Sequence, residues 1–437
     1  MKKIALLLVL GFLLTGCYGL DSSKQLVVRN MTTNEEEHQI PIRISLMHSF
    51  TDYGGLQWVI KTTQAYTQHH PEVEFDIYSV TPENYDSVLQ QHFASGTMPD
   101  LYYLSNIFDN ITYIEKDFAI NLTHEPFMRH NFVVGSLKGV EYRDQIWAVP
   151  IDWNGYGVIY NKDVFKYAGI DRIPSTYSEL IETCEKLQDT VYTPIAAGFN
   201  DNYTMMNDIQ VDLSQSSYYN NTDWRISIEK NLYMWQDNFF KLSDALERFA
   251  QRLNYYNPDM FETSWYEATR MVANGEAAMI MGDFKAIDTI RSHNEHANLG
   301  MFMYPWSDDI SKNNFPIKTM GGLVANNQSD NKTYLLDIME HFSTIEVGNL
   351  TQKYKKTISV VAGVDEAIDP AYNELIVFMD LGRKSDFSKF TSKFKREELN
   401  DIFNEELIRF IYDEEHNVEA TVKQLDVESQ KLIGNLE

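Results

Sequence analysis

Cysteine is scarce in this chain, which has only two, Cys17 and Cys184, among 437 residues. No disulfide framework and no cysteine-rich zinc site can be built from two thiols. Positive charge is also in short supply, because 37 Lys and Arg residues stand against 63 Asp and Glu residues and give a formal net charge of -26. A chain this acidic repels phosphate backbones and anionic lipids, so we expect no nucleic-acid partner.

The chain also lacks the short motifs of several enzyme classes. It contains no Gly-x-Ser-x-Gly, no phosphate-binding loop and no dinucleotide fingerprint. The pairs His293-x-x-His296 and His69-His70 have no third ligand nearby in sequence, so we predict neither a metal site nor a cofactor. The many carboxylates leave a glycosidase pair open by composition, but no two of them stand out. We therefore expect a protein without catalytic residues.

Apolar and aromatic residues are plentiful, at 43% and 13% of the chain, which is enough for two or three folding units. Residues 42–47 and 73–80 alternate in polarity as strands do, and a helix-like segment at 56–68 separates them. A second helix-like segment follows at 83–93, before a short apolar run at 101–104. This alternation predicts an α/β sheet with helices on both faces.

A further helix, predicted after Pro174, gives Cys184 a structural role. Thr176 and Glu179 have the spacing of a capping box at the start of this helix. The helical period then places five residues on one face: Tyr177, Leu180, Ile181, Cys184 and Leu187. We therefore expect Cys184 to be a small buried apolar residue and not a nucleophile.

The amino terminus resembles an export signal. Two lysines precede an apolar run at 4–14, which is shorter than the roughly 20 residues that a helix needs to cross a bilayer. The run ends in Leu-Thr-Gly-Cys17, which resembles the bacterial lipobox and implies cleavage before a diacylated cysteine. An ordinary signal peptide with an incidental cysteine is the alternative. We expect a signal peptide over 1–16 and a flexible stalk over 17–40, with the protein held by lipid at the extracytoplasmic face of the membrane.

Six short motifs follow one another along the rest of the chain. They are His70-Pro71-Glu-Val73, Ala94-Ser-Gly96-Thr-Met-Pro99-Asp100-Leu101, Ile146-Trp-Ala-Val-Pro150 with Gly157-Val-Ile-Tyr160-Asn161-Lys162-Asp163, Pro174-Ser-Thr-Tyr-Ser-Glu-Leu180, Asn274-Gly275-Glu-Ala-Ala278-Met279-Ile-Met-Gly282-Asp-Phe284, and Gly321-Gly322. Their order and spacing resemble the extracellular solute-binding proteins of ABC importers, in the family that includes maltose-binding protein. Phe284 departs from the family pattern, because it replaces the usual Trp.

The resemblance implies two α/β lobes of the type II periplasmic-binding fold, joined by hinge strands. The expected lobes are 41–153 plus 304–345, and 154–303 plus 346–437. The expected crossings between them lie near 152–155, 303–306 and 345–354. A ligand held between closing lobes is desolvated on both sides, and closure reports its presence to a transporter.

A sugar ligand needs flat aromatic surfaces for its C–H faces and hydrogen-bonding groups for its hydroxyls. Open α/β sheets bind ligands at the carboxyl ends of their strands. From the crossings and these strand ends we predict the ligand-binding residues Asp152, Trp153, Asn154, Asp283, Phe284, Trp306, Asn106, His48, Thr51 and Asp100. For Trp153, Phe284 and Trp306 the alternative is an ordinary packed ring, and Asp100 is equally expected to cap the Pro-Asp turn.

Together these observations predict a lipid-anchored, monomeric binding subunit of an ABC importer that captures a sugar or oligosaccharide. Its partners would be the permease subunits of that importer. The alternatives are an extracellular glycan-processing enzyme and a binding lipoprotein that serves a sensor kinase or adhesion. A peptide or polyamine ligand stays open, because the sequence does not identify the pocket loops.

Overall fold

The computed structural model describes residues 26–29, 41–218, 224–237, 241–386, 394 and 397–434. The expected signal peptide and the lipidation of Cys17 lie outside these residues. The strands are β1 Leu26–Arg29, β2 Ile42–His48, β3 Val73–Ser79, β4 Leu101–Leu104, β5 Glu141–Tyr142, β6 Gln145–Ile146, β7 Val149–Pro150, β8 Asp152–Asn161, β9 Thr193–Ala196, β10 Ala277–Asp283, β11 Leu299–Phe302, β12 Phe315–Thr319, β13 Gly322–Ala325, β14 Ile358–Ser359 and β15 Lys384–Asp386.

Helices separate most of these strands. They are α1 Tyr53–His69, α2 Pro82–Ser95, α3 Ile111–Glu115, α4 Pro126–His130, α5 Lys162–Tyr167, α6 Tyr177–Gln188, α7 Asn202–Leu213, α8 Trp224–Glu229, α9 Leu242–Leu253, α10 Trp265–Ala273, α11 Lys285–His293, α12 Lys332–Phe342, α13 Ile345–Leu350, α14 Asn373–Asp380, α15 Glu397–Tyr412 and α16 Val418–Gly434. Within the described ranges, no helix has the length and apolarity needed to cross a lipid bilayer.

The first sheet has the strand order β1-β3-β2-β4-β13-β7. Strand β2 runs parallel to both β3 and β4, so the carboxyl ends of these three strands share one edge. Helix α1 begins after Asp52, whose carboxylate accepts a hydrogen bond from the Gly55 N–H at 2.8 Å. Its apolar face buries Trp58 and Tyr66 in the core of this sheet. This sheet and its helices form the first lobe.

The second sheet has the strand order β15-β12-β8-β10-β9, and β11 and β14 also pair with β8. Strand β8 is central, and nine of its ten residues are buried. One face of the sheet packs on a core that includes α6, α7, α9 and α15, while the other packs on a core that includes α10, α11 and α14. This sheet and its helices form the second lobe.

Helix α6 confirms the local prediction made for its sequence. Thr176 and Glu179 form a capping box, in which each side chain binds the backbone of the other residue. Cys184 lies on the buried face of the helix and is fully enclosed. Burial raises the pKa of its thiol to about 12, which leaves the thiol protonated and unreactive at neutral pH.

The chain passes between the two lobes at three points. The first crossing is Ile151, between β7 in the first sheet and β8 in the second. The second is Met320–Gly321, between β12 and β13. The third follows a short π-helical turn at Thr351–Lys355, which packs on α1, and leads through Thr357 into β14.

Three features differ from the sequence expectations. Residues 346–355, which were expected in the second lobe, pack on α1 in the first. The second crossing lies at Met320 and not near 303–306, because β12 pairs with β8 and stays in the second lobe. Residues Leu26–Arg29 lie within the expected stalk, yet they pair antiparallel with β3. Their Leu-Val-Val run is β-prone and meets the otherwise open edge of that strand.

Candidate ligand-binding site

All three crossings meet at Asp152, the first residue of β8. Its backbone carbonyl accepts a hydrogen bond from the N–H of Met320 at 2.9 Å, in the second crossing. Its carboxylate Oδ2 accepts a hydrogen bond from the Thr357 hydroxyl at 2.6 Å and lies 3.5 Å from Nζ of Lys355. Asp152 is buried, so these bonds form in a desolvated setting where unpaired charge is costly. This residue therefore couples the three connections between the lobes.

Lys355 links the hinge to an aromatic wall of the first lobe. Its ammonium group lies 3.9 Å from the ring centroid of Phe50 and 5.3 Å from that of Trp58. Burial lowers the pKa of Lys355, and the negative charge of Asp152 opposes that shift. The aromatic faces and the carboxylate together replace the water that the ammonium loses.

The aromatic wall consists of His48, Phe50, Trp58 and Tyr103. Phe50 stacks on His48 with ring centroids 5.5 Å apart, meets Trp58 edge-on at 5.5 Å and tilts against Tyr103 at 4.7 Å. His48 ends β2 and Tyr103 lies near the end of β4, so the wall stands at the carboxyl edge of the first sheet. Phe50 is the member of the wall that is partly exposed. Its partly exposed ring therefore lies at the carboxyl ends of the strands, where open α/β sheets bind ligands.

His48 carries a buried nitrogen without a partner. Its Nδ1 accepts a hydrogen bond from the backbone N–H of Phe50 at 3.1 Å. Burial lowers the pKa of the imidazole to about 4, and Lys355 adds to the effect, so the ring is neutral at pH 7. The single ring proton must then lie on Nε2, which has no hydrogen-bond partner among the described residues. His48 therefore presents an unused donor.

On the second-lobe side, Asn154 fixes the end of β10. Its amide nitrogen donates to Oδ2 of Asp283 at 2.9 Å, and its amide oxygen accepts hydrogen bonds from the backbone N–H groups of Gly155 and Phe284. The predicted residues Asn154, Asp283 and Phe284 are thus brought together. Lys318 lies opposite Asn154 in the β8–β12 pair.

The charges of both lobes act on the pKa of Lys318. Burial lowers its pKa, and the nearby carboxylates of Asp283 in the second lobe and Asp109 in the first oppose that shift. Asp109 belongs to the turn that follows β4, in the first lobe. Lys318 and Lys355 therefore lie at the junction of the lobes.

Trp153 and Phe284 share one buried cluster in the second lobe. Trp153 is 5% exposed and Phe284 is 1% exposed, and their cluster also contains Phe315 and Tyr372. Phe284 meets the ring of Tyr372 at 5.3 Å, and Nζ of Lys384 lies 5.1 Å from the Trp153 ring centroid. Contact between these two rings and a ligand stays a prediction.

Two predicted residues lie away from the hinge. Trp306 lies in the loop between β11 and β12, where its indole N–H donates to the Lys312 carbonyl at 3.3 Å. Asp100 precedes β4, at the strand end opposite His48, and accepts hydrogen bonds from the backbone and hydroxyl of Ser45 at 2.8 Å and 2.7 Å. It also accepts one from Ser329. These bonds tie Asp100 to β2 and to the loop after β13, and its contact with a ligand stays a prediction.

Two others lie in loops at the carboxyl edge of the first sheet. The amide oxygen of Asn106 accepts a hydrogen bond from the Phe108 N–H at 2.8 Å, which shapes the turn after β4. Thr51 is exposed, between Phe50 and the capping residue Asp52. Their contact with a ligand stays a prediction.

The sequence predictions did not include Phe50, Lys318, Lys355 or Thr357. Phe50 had a usable signal, because it lies between His48 and Thr51, which were both predicted from their position after β2. Lys355 and Thr357 carry no local signal, because their partner Asp152 lies about two hundred residues earlier in the chain. Among the described residues, no three His, Cys, Asp or Glu side chains are grouped so that they could hold a metal ion.

Two α/β lobes, three crossings that meet at one residue, Asp152, and an aromatic wall beside that joint define a two-lobed binding protein of the type II periplasmic fold. The sequence model of the bacterial extracellular solute-binding protein family matches residues 49–317. The chain therefore belongs to the bacterial extracellular solute-binding protein family, which confirms the resemblance inferred from its motifs.

Two curated relatives match part of the chain. An uncharacterized ABC transporter extracellular-binding protein of Pyrococcus horikoshii is 26% identical over 287 residues, which cover 63% of this chain and 62% of the relative. The multiple sugar-binding protein of Streptococcus mutans is 24% identical over 256 residues, which cover 56% of this chain and 58% of the relative. The matches thus span about three fifths of each relative.

Solved structures share the fold over most of the chain. The apo form of RafE from Streptococcus pneumoniae matches with a TM-score of 0.72 at 15% identity, covering 91% of this chain and all of that one. RafE in complex with raffinose matches with a TM-score of 0.71 at 15% identity, covering 90% of this chain and all of that one. At this identity the likeness shows the fold alone.

Proposed function

We propose that the protein is the substrate-binding subunit of an ABC importer and captures a sugar or oligosaccharide between its lobes. The observation that carries this proposal is the joint at Asp152, where all three crossings meet beside a partly exposed aromatic wall. A hinge built from short connections permits one lobe to rotate on the other. A ligand placed at that hinge is enclosed when the lobes close.

The groups at the hinge suit a saccharide. Phe50 offers a partly exposed aromatic ring for contact with the C–H surface of a sugar, and Asp283 offers carboxylate oxygens on the opposite lobe. Closure removes solvent from the ligand on both sides, at roughly 25 cal/mol for each square ångström of apolar surface buried. The name of the Streptococcus mutans relative, multiple sugar-binding protein, supports the same ligand class.

Closure also explains how a binding protein can serve a transporter without chemistry of its own. The permease needs to distinguish the occupied protein from the empty one, and the relative position of the lobes carries that information. We infer that the closed form docks on permease subunits at the extracytoplasmic face of the membrane. The relatives are named as extracellular-binding and sugar-binding proteins, which supports this assignment.

A thermal-shift screen against a sugar panel tests the proposal directly. Ligand at 100 times its dissociation constant should add about 2.7 kcal/mol to the free energy of unfolding. Small-angle scattering should then show a smaller radius of gyration at saturation. After long incubation the ligand should be recovered unchanged, and repeated turnover of any bound glycan would instead identify an enzyme.

The anchor is a separate proposal. We infer from the Leu-Thr-Gly-Cys17 sequence that the mature protein begins at a diacylated cysteine. A Cys17→Ser form should be released from membranes or should keep its leader. If that form stayed membrane-bound and were processed normally, the anchor proposal would be wrong and the binding proposal would stand.

A further inference from the structure

The first three residues of β8 each lie against a lysine, and each lysine comes from a different segment. The lysines are Lys355 of the third crossing, Lys384 of β15 and Lys318 of β12. The chain as a whole has far fewer cations than carboxylates, with a net charge of -26. The hinge therefore places three ammonium groups along the start of β8, beside the carboxylates of Asp152, Asp283 and Asp109.

Several acceptor oxygens at the hinge are already engaged. Oδ2 of Asp152 accepts a hydrogen bond from Thr357 and lies 3.5 Å from the Lys355 ammonium. The amide oxygen of Asn154 accepts two backbone N–H bonds, and Oδ2 of Asp283 accepts one from the Asn154 amide. A ligand hydroxyl that donates to one of these three oxygens would have to compete with these bonds.

Donors remain beside the same joint. The Nε2–H of His48 is buried, with His48 only 1% exposed, and it has no acceptor among the described residues. The Lys355 ammonium has three N–H bonds, and its side chain is 10% exposed. A buried donor without a partner costs free energy in the empty protein. An acceptor on the ligand would remove that cost.

A neutral sugar can accept hydrogen bonds from these donors through its oxygens, but each of its hydroxyls also brings a proton that needs an acceptor. A carboxylate or sulfate group brings only acceptor oxygens, and its bonds to an ammonium are charge-assisted. We propose that the ligand of this protein is an acidic saccharide, whose anionic group lies between Lys355 and the Nε2–H of His48. This inference rests on the proposed function and names the class of sugar for that site.

Calorimetric titration of the purified protein with matched saccharides tests the inference. One pair is a linear xylo-oligosaccharide with and without a glucuronate branch, and a second is a galacto-oligosaccharide against an oligogalacturonate. A sulfated galacto-oligosaccharide separates sulfate from carboxylate recognition. The acidic member should bind about tenfold more tightly or better, and the preference should shrink as salt rises.

Two variants locate the effect. Lys355→Gln should remove most of the preference for the acidic sugar, while Lys423→Gln, which changes an exposed lysine on α16, should keep it. If Lys355→Gln does not fold, the salt series on the unchanged protein still shows whether the preference for the acidic sugar is electrostatic. Equal binding of neutral and acidic sugars would overturn this inference and leave the proposed function intact. If no saccharide of either kind binds, both are wrong.

Discussion

The ammonium nitrogen of Lys355 lies 3.5 Å from Oδ2 of Asp152, and this pair joins the third crossing of the chain to the first. The two side chains are 10% and 4% exposed, so neither charge is well solvated. Thr357 donates to the same oxygen, and Met320 donates to the backbone carbonyl of Asp152. The geometry of the hinge therefore depends on one residue that contacts every connection between the lobes.

Replacing Lys355 with an uncharged residue should destabilise the folded protein. In Lys355→Met the carboxylate of Asp152 stays buried without its cation, and the free energy of unfolding should fall by about 3 kcal/mol. Urea unfolding measures this change. The matched control is Lys312→Met, because Lys312 pairs with Asp309 on the surface, and its loss should cost less than about 1 kcal/mol. Equal costs would contradict a structural role for the hinge pair.

Gly321 should tolerate no side chain. It has a φ of +55° in the second crossing, and a Cβ built there would overlap the carbonyl oxygen of Leu104. Gly321→Ala should therefore destabilise the protein by more than about 2 kcal/mol, because strain and overlap add. Gly96→Ala is the matched control, since Gly96 has a φ of +70° with open space around it and should cost only about 1 kcal/mol. Similar melting temperatures for the two variants would contradict the overlap.

Much of the fold followed from local pattern. In residues 42 to 104, polar and apolar residues alternate in the strand segments and recur with the helical period in the segments between them. This difference predicts the strands and helices of that region, and the structure confirms their bounds within a few residues. The capping box of α6 and the burial of Cys184 were also predicted, because both are set within one helix. Features of this kind need no knowledge of the rest of the chain.

The hinge was harder to predict. The family resemblance implies a second crossing near 303–306, and the sequence does not correct it, because Pro316 is the second residue of β12 and weakens the β signal of that strand. The pairing of Asp152 with Lys355 has no local signature, because it joins residues far apart in sequence. Trp306 itself is buried in a loop of the second lobe, and nothing in its local sequence distinguishes that position from a cleft.

His48 should make stability depend on pH. Its folded pKa is about 4, below the ordinary value of 6.5, so the unfolded chain takes up a proton first as the pH falls. The contribution of His48 to the free energy of unfolding is therefore fully present above about pH 6.5. It is lost progressively as the pH falls toward 4, and the total loss is about 3 kcal/mol. Urea unfolding across this range should show a shallower decline in His48→Asn. His124→Asn, at an exposed histidine, should keep the original slope, and identical slopes for all three proteins would contradict the assignment.

Phe50 should be the aromatic contact from the first lobe. Phe50→Ala removes the partly exposed ring of the wall and should weaken saccharide binding by about 2 kcal/mol, or thirtyfold. Because the ring is not fully buried, the free energy of unfolding should fall by less than the free energy of binding does. Phe378→Ala, at a partly buried ring on α14, should leave the affinity unchanged. Calorimetric titration beside a melting curve measures both effects, and unchanged affinity in Phe50→Ala would exclude this ring from the site.

Trp153 is the ring for which sequence position and burial lead to different expectations. A stacking role at the first crossing predicts that Trp153→Ala loses about thirtyfold in affinity while the protein stays fully stable. The structure leads us to expect another result, because a ring only 5% exposed in the same cluster as Phe284 and Phe315 leaves a cavity when it is removed. The free energy of unfolding should then fall by about 3 kcal/mol or more. Titration below the melting transition separates the two roles, because weak binding by a variant of normal stability would place Trp153 against the ligand.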